Sequence, residues 1–220
     1  MRQRRPRGTT TLEAIVRSAL DLADEAGLRA VTIRAVAKRA DVAPMSIYTH
    51  VKNKEQLFDF MYSEVMRRLY ADAGHPTWQA EYVSMCHQVR QTLLHHPRWA
   101  PLLSRPAPAI SVPLRERMLA LMTADGLALD EAFSAISHGA LMSIGYALVE
   151  LNFRDAAGSS SLANRFERLK QWAEQPVADE SDRLTRAAIA RATRFDLSAL
   201  FAPSIGIYVS GLETCRSRDP

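Results

Sequence analysis

The sequence predicts an all-α fold in two parts, a small N-terminal three-helix unit followed by a larger helical one. Three observations carry this. Apolar residues recur at three- and four-residue intervals along most of the chain, and no stretch alternates with period two for long. Residues Thr32–Lys54, TIRAVAKRADVAPMSIYTHVKNK, read as two short helices joined by a tight turn. Positive charge is unevenly spread: residues 1–55 hold 11 Lys/Arg against 6 Asp/Glu, and residues 56–220 hold 17 against 18. The net charge of +4 therefore comes from the first quarter, where a polyanionic partner is expected to meet the protein.

Each element follows from local chemistry. Residues 1–10, with Arg2, Arg4, Arg5 and Arg7, form a basic arm without a core. Thr10 or Thr11 can cap a first helix, Glu13 suits the positive end of its dipole, and Gly27 can end it. Its apolar stripe is Leu12, Ile15, Val16, Ala19, Leu22, Ala23 and Ala26. Thr32 caps a second helix that buries Ile33, Val36, Ala37 and Ala40. Asp41 takes the turn, and Pro44 fits the first turn of a third helix, where its missing N–H costs nothing. That helix buries Ile47 and Val51 and turns Met45, Ser46, Thr49 and His50 outward. Asn53 caps a fourth helix, Gln56 completes a variant capping box, and a stripe from Leu57 to Leu69 follows. Gly74-His75-Pro76 stops it.

The remainder reads as more helices: Trp78–His95, then a break at His96-Pro97 and a Pro-punctuated run over 101–108, then Leu114–Thr123. Asp130 is expected to cap a long helix to Phe153 that is apolar on nearly every side and so must be buried, in a core or between subunits. A loop over 154–161 leads to two charged amphipathic helices, 161–173 and 181–193. A last helical segment, Phe195–Cys215, carries Pro203 as a start or kink. The expected domains are 1–55, with 1–10 as the arm, and 56–220.

Composition narrows the function. With 47% apolar and 24% charged residues the chain has the makings of a globular core. No apolar run reaches the ~18–20 residues that a membrane span needs, and no apolar region follows the basic N-terminus as in a signal peptide, so a cytoplasmic protein with no membrane partner is expected. Cys86 and Cys215 have no disulfide or metal-ligand spacing. No G-x-S-x-G, phosphate-cradling glycine loop or H-E-x-x-H is present, and Ser143 beside Gly145 lacks the preceding glycine. No enzyme, cofactor or metal is expected.

Thr32-Ile33-Arg34-Ala35-Val36-Ala37, Val42 and the run Ser46-Ile47-Tyr48-Thr49-His50-Val51-Lys52-Asn53-Lys54-Glu55-Gln56-Leu57 resemble the tetracycline-repressor (TetR) family of bacterial transcriptional regulators. The resemblance is strongest over residues 10–60. Leu93-Leu94-His95-His96-Pro97-Arg98-Trp99 through Glu150 is similar to the C-terminal regulatory domains of actinobacterial members. It implies an N-terminal helix-turn-helix DNA-binding domain and a C-terminal helical ligand-binding and dimerisation domain, with a four-helix bundle made from two helices of each subunit. Two positions depart from the family. Asp41 replaces the usual glycine of the turn, which Asp tolerates through its access to the left-handed region. Pro44, Met45 and Thr49 differ from the tetracycline repressor, so its base specificity does not carry over.

The DNA-binding candidates divide by chemistry. Thr32, Ser46, Tyr48, His50, Lys52 and Lys54 supply hydroxyl and basic groups for phosphates, with core packing the competing account of Tyr48 and helix capping that of His50. Arg34 reaches far enough for a bidentate contact to guanine or stands on a solvated face. Pro44, Met45 and Thr49 offer apolar surface to a thymine methyl. Reading two half-sites calls for a homodimer, for which Ile144, Leu148, Phe201, Ile205, Tyr208 and Leu212 are the interface candidates or else intrachain core. Met85, Trp99, Met118, Met122, His138, Met142 and Tyr146 could line an apolar effector cavity or pack a core. The function expected is a homodimeric repressor of a palindromic DNA operator, released by a small hydrophobic molecule. A ligand-independent or activating regulator, and a small-molecule-binding helical domain with a vestigial helix-turn-helix, are the alternatives.

Overall fold

The computed structural model describes residues 11–71, 73–103, 105, 116–155, 161–175, 182–192 and 197–216, and among these every regular element is helical. The arm over 1–10, Pro106–Pro108 and most of the loop expected over 154–161 lie outside them. The helices are α1 (Leu12–Ala26), α2 (Ile33–Arg39), α3 (Pro44–Tyr48), α4 (Lys54–Leu69), α5 (Trp78–His95), α6 (Ala100–Leu103), α7 (Glu116–Ala124), α8 (Leu129–Asp155), α9 (Ser161–Glu174), α10 (Arg183–Ala192) and α11 (Leu197–Arg216). Short 3₁₀ turns cover Leu28–Ala30 and Pro97–Trp99.

The chain divides into two compact units. The first takes residues 1–71 and 95–116, the second 72–94 and 117–220. This division differs from a boundary after residue 55. Leu57, Phe58, Met61 and Val65 of α4 are all buried, and α4 packs on α1 along its length. Helix α6 and the turn before it pack on α4 and α1 as well, so residues far apart in sequence close one core.

In the first unit the caps follow the side chains available. Thr11 Oγ1 accepts from Ala14 N at 3.3 Å and Thr32 Oγ1 from Ala35 N at 3.1 Å. Asn53 Oδ1 accepts from Gln56 N at 2.9 Å, while Gln56 Oε1 reaches back to Lys52 N at 2.6 Å, a capping box displaced by one residue. Gly27 ends α1 with φ 78°. Asp41 sits at φ 55°, the left-handed turn that the family fills with glycine. The core face of α1 is Ile15, Val16, Ala19, Leu20 and Ala23; Leu20 takes the inward place expected of Ala26, which is exposed. No basic residue lies in the last turn of α1. Its carbonyl end is instead met from a distance by Arg98, which donates to Asp24 O at 2.6 Å and also to Glu25 O, and by Arg39, held by the Glu25 carboxylate at 2.6 and 2.7 Å.

In the second unit, Glu81 is fully buried in the first turn of α5 and accepts from Ala73 N and His75 N at 2.7 and 2.8 Å. Trp78 Nε1 donates to Asp125 Oδ2 at 2.7 Å, which fixes α5 to the end of α7. Helix α8 begins one residue before the expected cap at Asp130: Glu131 Oε2 accepts from Ala128 N at 3.1 Å and closes the first turn from behind. A Cβ on Gly139 would stand 2.5 Å from the Tyr82 hydroxyl and 2.6 Å from its Cζ, so only glycine lets α8 approach this buried ring. Gly139→Ala is expected to cost about 1–3 kcal/mol of stability, measured as a lowered thermal midpoint.

The long helix corrects two expectations. Leu129–Asn152 has a mean hydropathy of 1.4, long and apolar enough to cross a membrane by length and composition alone. Ser134, Ser137, His138 and Ser143 interrupt the apolar runs there, so its apolar character shows only as an average over the helix. Nor is the helix buried all round. Ala132, Ala135, Ile136, Ala140, Ser143 and Ala147 turn into the protein, while Leu129, Phe133, Leu141, Leu148 and Val149 are exposed. One face packs its own unit; the other is open, its apolar side chains standing beside exposed Ser134 and His138.

Candidate functional site

The DNA-facing candidates are brought together on the first unit. Pro44 opens α3 after Ala43, whose extended backbone (φ −67°, ψ 142°) leads into the five-residue helix. Ile47 is wholly buried and anchors it, burial that stabilises by roughly 1.5–3 kcal/mol. Around that anchor, Met45 is 74% and Tyr48 50% exposed. Arg34, Pro44, Thr49 and Lys52 are exposed, and Ser46, His50 and Lys54 partly so. The core account of Tyr48 does not hold against that exposure.

Hydrogen bonding sorts the hydroxyls. Thr49 Oγ1 donates to Ser46 O at 2.8 Å, which leaves its methyl, and not a donor, for an approaching molecule. Thr32 Oγ1 accepts the cap bond and keeps its own proton to donate. The cations sort too. Arg39 is committed to Glu25 and, at 3.8 Å, to Asp21, whereas among the described residues no ion pair engages Arg34, Lys38, Lys52 or Lys54. The Glu13 carboxyl lies below its ordinary value chiefly through a backbone hydrogen bond and the Thr11 hydroxyl, with His50 and Arg17 contributing less. The result is an exposed cluster of hydroxyl, thioether and unneutralised basic groups on short helices held by a buried stem, which can bind phosphates and read base edges.

The effector candidates are not brought together as one set. Met85, Met118 and Met122 are fully buried in the second unit and Met142 partly so. Trp99 belongs to the first unit instead. It is 1% exposed, stacked on His96 with centroids 3.9 Å apart, and His96 Nδ1 lies 2.8 Å from Asp24 Oδ2. His138 is exposed and stacks on Tyr208 at 4.3 Å, and Tyr208 in turn on Tyr82 at 5.8 Å. The Tyr146 hydroxyl bonds Ser204 Oγ at 2.8 Å and its ring meets Phe201 edge-on, a contact that ties α8 to α11.

Of the interface candidates, Phe201 and Ile205 are each 1% exposed and face their own unit. Phe201 packs against Arg90, His87 and Tyr146, and Arg90 pairs with Glu150 in the same buried patch. Leu148 is exposed, and Ile144, Tyr208 and Leu212 are partly so. Sequence reading missed Leu141, 70% exposed, and Ile207, 76% exposed; their apolar character was visible, their direction was not. Among the described residues no group of His, Cys, Asp and Glu has the arrangement of a metal site.

His87 adds a measurable pH response. Burial, and then the nearby Arg90 charge, hold it below its ordinary value. The unfolded chain binds that proton near pH 6.5 while the folded one resists it, so stability is full above about 6.5 and falls as pH drops below it. The thermal midpoint of His87→Gln is expected to fall less than that of the wild type between neutral pH and about 5.5.

The fold is that of a helix-turn-helix unit followed by a separate, larger helical unit. The family model for bacterial regulatory proteins of the tetR family matches residues 10–61, and the tetracyclin repressor-like C-terminal domain matches residues 71–216. The chain belongs to the TetR family of bacterial regulatory proteins. It is 31% identical over 138 residues to the HTH-type transcriptional repressor DrrR1 of Streptomyces coeruleorubidus, which is 60% of this chain and 51% of that protein. Over 202 residues it is 25% identical to the class A tetracycline repressor from transposon 1721 of Escherichia coli, 90% of this chain and 88% of that one. The chain spans about half the length of the first curated relatives it matches, 51% and 45%. Among solved structures it resembles apo ActR of Streptomyces coelicolor, with a TM-score of 0.75, 21% identity and coverage of 96% of this chain and 99% of that one. ActR has also been solved with actinorhodin, a structure this chain matches with a TM-score of 0.73 and 22% identity over 94% of its length and 98% of the other's.

Proposed function

We propose that this protein is a homodimeric cytoplasmic repressor that binds a palindromic operator and lets go when a small hydrophobic molecule enters its second unit. The observation that carries the DNA half is the exposed face around Ile47, where Thr32, Ser46, Tyr48, His50, Lys52 and Lys54 surround Arg34, Pro44, Met45 and Thr49. The first group fixes register on the phosphates and the second reads base edges. The named relatives that act as repressors support the sign of the regulation, and the actinorhodin complex of ActR supports a small-molecule effector.

Pairing is supported by the open apolar face of α8. Leu129, Phe133, Leu141 and Leu148, with Ile207 of α11, form apolar surface that a second copy would cover. Ile144, Tyr208 and Leu212 stay in the proposed interface, and Phe201 and Ile205 support it from beneath. Release follows if the effector binds the non-operator conformation more tightly; coupling of roughly 1–3 kcal/mol is typical. The chain passes between the units at Ala71, Leu94 and Glu116, the routes by which such a change can travel.

Footprinting on the DNA upstream of the protein's own gene tests this reading. A protected palindrome that is freed on adding a compound from a panel of small hydrophobic molecules is expected. Absence of any protected site would reject the repressor reading.

A further inference from the structure

The first turn of α4 holds a charge arrangement that the DNA reading does not use. Glu55 follows Lys54 at the N-terminus of that helix, and its carboxylate pairs with the guanidinium of Arg105, fifty residues away. The side chain of Glu55 is 68% exposed and that of Arg105 31%. The guanidinium also lies 4.7 Å from the centroid of the Phe58 ring, and Lys54 Nζ is 5.1 Å from the same centroid. Phe58 is 6% exposed. A buried ring with its negative face toward a cation holds the guanidinium in place, and the fork of Arg105 holds the carboxylate.

An exposed carboxylate beside a phosphate-binding lysine is a liability. Its charge repels the DNA backbone at the position where Lys54 is to meet it. Arg105 offsets that charge without belonging to the helix-turn-helix. We infer that Arg105 is a positioning residue for DNA binding: held over the Phe58 ring, it neutralises Glu55, so that the first turn of α4 presents the Lys54 ammonium and not an unpaired carboxylate to the backbone. The guanidinium is engaged by the carboxylate and the ring, and its role needs no phosphate contact of its own. This inference rests on the proposed docking of Lys54.

The test uses a short duplex enriched from a random-sequence pool by the full-length wild-type protein, with binding followed by fluorescence anisotropy over a series of salt concentrations. Arg105→Ala is expected to weaken binding by roughly 2- to 30-fold, as loss of an exposed pair in each of two subunits would. The slope of log affinity on log salt should not change, because no phosphate contact is lost. Adding Glu55→Gln to Arg105→Ala should restore affinity, since the unmasked charge is then gone. Glu55→Gln alone should bind as tightly as the wild type or more so, which keeps the question open to measurement if Arg105→Ala fails to fold. An Arg105→Ala protein with unchanged affinity overturns the inference. So does a shallower salt slope with no rescue by Glu55→Gln, the mark of an arginine that contacts DNA directly. Lys54→Ala serves as the reference: if it leaves affinity and slope unchanged, the docking itself is wrong, whereas a loss there with none at Arg105 overturns the masking role alone.

Discussion

Tyr48→Ala weakens operator binding by roughly 5- to 150-fold in a titration of purified protein against its footprinted site. The size follows from two copies of one hydroxyl-to-phosphate bond at about 0.5–1.5 kcal/mol each, at 1.4 kcal/mol per factor of ten. Half of the Tyr48 surface is exposed and its ring stands outside the Ile47 anchor, so the thermal midpoint should barely move. Lys54→Ala weakens binding by a different signature. It removes one cation–phosphate contact per subunit, so the salt slope should lose about 0.9 for each, close to two in a dimer. Tyr48→Ala carries no charge and should leave that slope alone. Equal affinity and equal slope in both variants would exclude α3 and the start of α4 from the DNA surface.

The second large effect comes from the second unit. Leu141→Glu places a charge at the centre of the open α8 face, where the leucine is 70% exposed within one chain. If a second copy covers that face, two glutamates meet across the axis without partners, and the dimer should fall to monomer in sedimentation. Operator affinity follows, because a monomer reads one half-site. Keeping about half of the binding free energy turns a nanomolar complex into one of tens of micromolar, a loss of at least about a thousandfold. The chain itself should stay folded, since this face contributes nothing to its own core. A Leu141→Glu protein that remains dimeric would place the interface elsewhere.

Most helices were legible because their signals are local. Thr11, Thr32 and Asn53 cap where hydroxyl and amide side chains precede apolar periodicity, and Asp41 keeps a left-handed turn with a side chain that tolerates it. What was not legible depends on distance. Periodicity marks α8 as apolar, but not which of its faces meets its own unit and which is left open. Trp99 shares the apolar chemistry of the methionines, yet its contacts with His96, itself bonded to Asp24, and with Arg68 place it in the first core. Arg39, Arg98 and Arg105 look alike as letters; only their partners, Glu25, the end of α1 and Glu55, separate them from the unneutralised cations at Arg34 and Lys54.

Arg98, closing the carbonyl end of α1, and Trp99, buried on α4, bear on how this protein is made. Both arrive late in synthesis, with Arg105 a few residues behind. A ribosome adding roughly 5–20 residues per second finishes the helix-turn-helix well before it supplies them; the 34 residues from 72 to 105 take about 2–7 s more. During that interval α1 lacks its distant cap and Glu55 its counter-charge. If Arg105 masks Glu55 as inferred, a nascent chain is expected to bind DNA more weakly than the finished one. The same dependence sets a rule for grafting: a helix-turn-helix moved to another regulator must bring residues 95–105 with it, or leave part of its foundation behind.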